Sequence, residues 1–147
     1  MSQVEIGELL YVYTVKITNF VEFGFSFETL MTGGAPPEGA RFDVHFEGPI
    51  SGKVNGRVAG IDHLYVRPDG RMELNIRGVI ATDDGKTISL FADGVALPKP
   101  QDPVAELREN VTLFTSAQEY AWVNRLQVWG VGSVDLAQQV VHIKGYG

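Results

Sequence analysis

Arg41-Phe42-Asp43-Val44-His45-Phe46-Glu47 alternates without a break. Phe42, Val44 and Phe46 fall on one side of an extended chain, and Arg41, Asp43, His45 and Glu47 on the other, which is the pattern of a half-buried β-strand. Similar runs lie on both sides of it. Leu9 to Ile17 (LLYVYTVKI) is rich in aromatic and β-branched residues, and Phe23, Phe25 and Phe27 recur at period two before the loop-like TGGAPPEG. Downstream, Gly48, Gly52, Gly56 and Gly60 read as bends or bulges in strands. Ile61 to Val66 resumes an extended run. Arg67-Pro68-Asp69-Gly70 is a turn in which proline presets φ and glycine accepts positive φ.

Arg71 to Thr82 alternates again, Asp83-Asp84-Gly85 is a hairpin signal, and Lys86 to Leu97 is its partner strand. DGRMELNIRGV and DGKTISLFADGV look alike and read as consecutive arms of a meander rather than a true repeat. Leu97 to Asn110 departs from the pattern with Pro98, Pro100 and Pro103. Asp102-Pro103 followed by VAELRE predicts an N-cap, a first-turn proline and a short helix on a surface insertion or crossover loop. Val111 to Thr115, Trp122 to Val134 and Gln139 to Tyr146 complete the strand set.

The expected fold class is all-β: a single antiparallel β-barrel domain over residues 1–147, of roughly eight to ten strands, with one short helix or loop insertion. Closure follows from the edge problem, since an open sheet of this size leaves long unpaired edges. A barrel of about eight strands has room for one small ligand. The 17 glycines fit a turn-rich β protein.

Composition excludes several function classes. A net charge of −6 argues against nucleic acid or an anionic membrane surface as partner. The absence of cysteine excludes disulfides, thiolate zinc sites, iron–sulfur clusters and thiol nucleophiles. MSQVEIGE lacks a basic start and an apolar core, and no stretch reaches the 18 or more residues of a membrane span. The expectation is a cytoplasmic protein without cofactor or metal. His45, His63 and His142 lie far apart in the chain. His45 and His63 on neighbouring strands, with Glu47 or Asp62, form at best a weak facial set. No nucleophile elbow, dinucleotide fingerprint or phosphate loop is present.

Acid–base groups remain. Asp62, set before apolar and aromatic residues, acquires a raised pKa if it points into an apolar barrel. Glu73 and Arg77, with Asn75 between, share a strand face. They orient a polar ligand group if that face points inward, and form an ordinary solvated face, the more common case, if it points outward. Tyr120, Trp122 and Asn124 have strand-face spacing and read either as a pocket wall or as a core cluster satisfied by backbone. Tyr11 and Tyr13 also share a face.

Gly60-Ile61-Asp62-His63-Leu64-Tyr65-Val66-Arg67-Pro68-Asp69-Gly70 resembles the G-x-D…R-x-D-G segment of the bacterial and fungal family called domain of unknown function 3237. Thr82-Asp83-Asp84-Gly85, Phe114-Thr115, Tyr120-Ala121-Trp122-Val123-Asn124 and Gly130-Val131-Gly132 resemble its following motifs in order. The resemblance covers most of residues 40 to 146. It departs at His63, a position often aromatic in the family. It implies an allene oxide cyclase-like barrel that takes apolar or aromatic molecules and needs no cofactor, so isomerisation, cyclisation or elimination is the chemistry it suggests. It carries over Asp62, Tyr120, Trp122 and Asn124, and hints at a homo-oligomer.

The combined expectation makes Asp62, Tyr120 and Asn124 the catalytic set and Trp122, Glu73, Arg77, His63 and Tyr65 the ligand contacts. The partner is a small organic ligand, with no nucleic acid and no membrane. A non-catalytic small-molecule carrier and a solidly packed oligomeric scaffold are the competing functions.

Overall fold

The computed structural model describes residues 6–147. The N-terminal segment read above for a leader begins in residues 1–5, outside the described residues. The elements, in chain order, are β1 (Leu9–Glu22), α1 (Phe27–Gly33), β2 (Ala40–Gly52), β3 (Gly56–Val66), β4 (Met72–Thr82), β5 (Thr87–Leu97), β6 (Val104–Phe114), a 3-10 helix (Gln118–Arg125), β7 (Val128–Asp135) and β8 (Val140–Tyr146). The strands form one closed antiparallel barrel of eight in chain order, β8 returning to pair with β1. Among the described residues no helix is long and apolar enough to cross a membrane.

Alternation decides the inside. Phe42, Val44 and Phe46 point inward on β2, as the repeat from Arg41 to Glu47 predicts. On β4 the inward side carries Met72, Leu74, Ile76 and Ile80, and the charged residues between them face out. Both glycine turns form. Gly70 (φ +91°) donates its N–H to the Arg67 carbonyl, and Gly85 (φ +87°) donates to Thr82.

Three local expectations are corrected. The run through Phe23, Phe25 and Phe27 is not a strand: β1 ends at Glu22, and Phe27 opens α1. Ser26 caps that helix by accepting the Thr29 N–H at 3.1 Å, and Gly34 (φ +82°) closes it. VAELRE is not helical but the start of β6, where Asp102 accepts the Val104 N–H at 2.9 Å and Pro103 lies just before the first rung. Tyr120 to Asn124 is not a strand face but part of the 3-10 helix.

Because neighbouring strands are antiparallel in chain order, connections alternate between the barrel's ends. Residues 53–55, 83–86 and the 3-10 helix lie at one end, where Val123 (0% exposed) packs into the interior as a floor. The connections 67–71, 98–103 and 136–139 lie at the other, together with α1. There Leu30 is buried, and Phe20, Phe27 and Phe42 pack with ring centroids 4.9 to 5.5 Å apart.

Candidate functional site

The barrel is hollow in the half beneath α1. A cavity of about 90 Å³ is enclosed by side chains of all eight strands and α1. Apolar groups, including Phe20, Phe27, Phe46, Leu74 and Leu107, make nearly all of its wall. The polar exceptions are Tyr13 on β1, Asp62 on β3 and Glu109 on β6. All three are acids, and among the described residues no Lys, Arg or His lines the space.

Asp62 holds its place through strand alternation, with Val58, Leu64 and Val66 on the same inward side. Its carboxylate accepts the Asn75 N–H at 3.0 Å. Burial pushes its pKa up to about 6, although that hydrogen bond and the positive charges of His63 and Arg41 on the outer face pull the other way. Glu109 is 4% exposed. Burial raises its pKa to about 8, and the charge of Asp62 adds to the effect. Tyr13 is pushed well above the usual phenol range by burial, then by Glu109, Tyr11 and Asp62.

Glycines make room for these groups. Glu109 pairs laterally with Gly94 on β5 and Gly130 on β7, so its carboxyl meets no side chain at those rungs. A Cβ on Gly130 would stand 3.1 Å from Glu109 Oε1. Tyr11 stacks nearly parallel to Tyr13 (centroids 6.0 Å apart, planes 8°), and its ring lies over Gly145 of β8.

Of the expected catalytic set, Asp62 alone reaches this cavity. Tyr120, Trp122 and Asn124 sit on the 3-10 helix at the opposite end. Asn124 is a backbone clamp: its Oδ1 accepts the Thr115 N–H at 2.9 Å and its Nδ2 donates to the Thr115 carbonyl at 2.8 Å. Tyr120 donates to Asp84 at 2.9 Å on the exposed β4–β5 turn, a bond that raises its pKa. Trp122 packs half-buried against the core. In this arrangement Asn124 is satisfied by backbone and Tyr120 by the Asp84 side chain. Asn124→Ala, which leaves the nearly buried Thr115 amide and carbonyl unpaired, is expected to cost about 1–3 kcal/mol. A melting curve checks this, and the titrations of Asp62 and Glu109 should not move.

The four remaining ligand candidates face outward from the barrel wall. Arg77 stacks over Phe91 at 4.2 Å. Glu73 pairs with Arg71 at 3.2 Å. His63 Nδ1 lies 2.8 Å from Asp43 Oδ1. His63, Tyr65 and Glu73 border one outer groove, together with Arg41, Asn75 and Asp93. Glu109 was missing from the expected set, because reading VAELRE as a helix hides its place in the alternation Ala105, Leu107, Glu109, Val111, Leu113, all of them buried. The period-two pattern traced back from Leu113 would have found it.

Comparison with known proteins agrees with this architecture. A curated UPF0311 protein of Clostridium acetobutylicum is 47% identical over 53 residues, covering 31% of this chain and 34% of that protein, so the matched segment spans about a third of the relative's length. A crystal structure of a protein of unknown function from the same organism superposes with a TM-score of 0.78 at 26% identity, covering 94% of this chain and 95% of that one. The crystal structure of an enzyme from Penicillium herquei shares the fold with a TM-score of 0.62 at 17% identity, covering 100% and 99%. Residues 15–146 match the family model described as protein of unknown function (DUF3237), and the chain therefore belongs to that family.

Proposed function

We propose that this protein binds a small, largely apolar organic molecule in the barrel cavity and rearranges it by cofactor-free proton transfer, as an isomerase, cyclase or lyase. Asp62 is the base and Glu109 the acid. The observation that carries this reading is the placement of two carboxyl groups, Asp62 and Glu109, in one apolar cavity, where burial raises both, to about 6 and about 8. At neutral pH one is mostly ionised and the other mostly protonated, the division of labour that acid–base chemistry requires. Tyr13, a phenol that keeps its proton, supplies a further donor to an oxygen on the ligand. The open volume weighs against a solidly packed scaffold.

The test has two stages. Neutral aromatic and cyclic ketones are screened by thermal shift, since any ligand of the native state raises its apparent stability. Hits are then followed by NMR in deuterated water for exchange of protons next to the carbonyl. Asp62→Asn is expected to slow that exchange by roughly a hundredfold or more while ligand affinity changes little. Binding without exchange in the unmodified protein would identify a carrier. Exchange indifferent to both Asp62→Asn and Glu109→Gln would remove these residues from the reaction.

A further inference from the structure

The wall beside Asp62 is not continuous. Regular rungs between β3 and β4 run from Gly56↔Thr82 to Asp62↔Ile76, lapse at His63/Asn75 and Leu64/Leu74, and resume at Tyr65↔Glu73. Within the lapse the Asn75 N–H donates to the Asp62 carboxylate at 3.0 Å. Leu74 borders the cavity on one side and the outer groove on the other, so the wall here is one side chain thick. The groove is polar, whereas the α1 end of the cavity is walled by Phe20, Phe27 and Leu136. An ionisable group in an apolar chamber needs a hydrated path to change its protonation state, and this interruption is the polar break in the wall next to it.

We propose that the interruption is a side port through which Asp62 exchanges its proton with water, and that His63, held by Asp43, is the outer station of that path. When His63 is neutral, its single ring hydrogen on Nδ1, the proton leaves the Asp62 carboxyl for water in the port and passes to the free Nε2. Asp43 stays ionised and keeps the Nδ1 hydrogen in place, with Nδ1 2.8 Å from its Oδ1. His63 then releases the proton to bulk solvent. Arg41 anchors the station through its own contact with Asp43 at 2.9 Å.

The charged and titratable groups around Asp62 are Arg41 and Asp43 of β2, His63 of β3, Tyr13 of β1 and Glu109 of β6, with Glu73 and Arg77 on the outer face of β4. The proposal stands whether or not the cavity is catalytic, so its test is independent of turnover.

The test uses the full chain labelled with ¹³C at the aspartate carboxyls, with Asp62→Asn to assign the signal. The Asp62 midpoint is expected near 6 in the unmodified protein. His63→Gln removes the charge that the protonated imidazole places near Asp62 and should raise that midpoint, while His63→Lys supplies a constant charge and should hold or lower it. Neither glutamine nor lysine shuttles a proton near that pH. In both variants protonation exchange at Asp62, read by relaxation dispersion at the midpoint, should therefore slow by about tenfold or more. His63 lies on the outer face, so the core stays intact in both. Equal exchange in all three proteins, or a midpoint unmoved by His63→Gln, overturns the port.

Discussion

Glu109→Gln is expected to raise the melting temperature near pH 9 by about 10 °C while changing it little near pH 5. The folded protein holds Glu109 at about 8, against 4.5 for the free side chain, because burial penalises the ionised form and Asp62 repels it. A carboxyl raised in this way imposes no cost below its unfolded value, where both states carry the proton. The cost grows through the window between the two values and is complete above about 8. Each unit is worth about 1.4 kcal/mol, so the loss between pH 5 and pH 9 is on the order of 4 kcal/mol. Asp62, raised from 3.8 to about 6, adds a loss of the same sign in a more acidic window. Wild-type protein should therefore melt lower as pH rises from mildly acidic to alkaline, the reverse of a protein whose carboxylates are salt-bridged. Glutamine cannot ionise, so thermal denaturation of the variant against pH should lose most of this slope. Equal slopes in the two proteins would mean that Glu109 titrates as an exposed residue.

Gly145→Ala is expected to destabilise the barrel by about 3 kcal/mol or more, and the damage should depend on Tyr11. A Cβ at position 145 would stand 2.7 Å from Cε1 of Tyr11 and nearer still to Cζ. The Tyr11 ring is 1% exposed and stacked on Tyr13, so it has no free space into which to move. Tyr11 pairs laterally with Gly52 as well as Gly145, which gives one large ring a glycine on each side. In a Tyr11→Ala background the added methyl fills part of the vacated volume, so the cost of Gly145→Ala should fall sharply. Urea denaturation of the four proteins of this double-mutant cycle measures the coupling. Additive losses would show that Gly145 is needed for its backbone and not for the ring.

The sheet was legible where alternation and turn chemistry agreed. Arg41 to Glu47, Arg71 to Thr82 and the glycine turns at Gly70 and Gly85 each carry a local pattern that needs no distant partner to interpret. Errors arose where a local signal had two uses. Asp102-Pro103 begins a helix or precedes a strand with equal ease, because a free carboxylate caps either kind of exposed N–H. Here the lateral hydrogen bonds of β5 and β7 settle the matter in favour of strand, and Glu109 is carried into the lumen with it. Tyr120, Trp122 and Asn124 have the period of a strand face by coincidence, and the Asn124 clamp on Thr115 bends the segment into the barrel floor.

The order of hydrophobic and polar residues along this chain determined that it would form strands, that those strands would be antiparallel neighbours joined by tight turns, and that Asp62 would share a side with Leu64 and Val66. Tertiary structure decided the rest. Which carboxyl joins Asp62, which end is plugged and which is hollow, and where the wall is thin all depend on lateral register around a closed ring. Register is a relation between residues far apart in sequence: closure brings β8 against β1 and places Tyr13, Asp62 and Glu109 of three separate strands around one space. A period-two pattern sorts each strand's residues onto two sides, but it carries no information about what the other strands will bring to meet them.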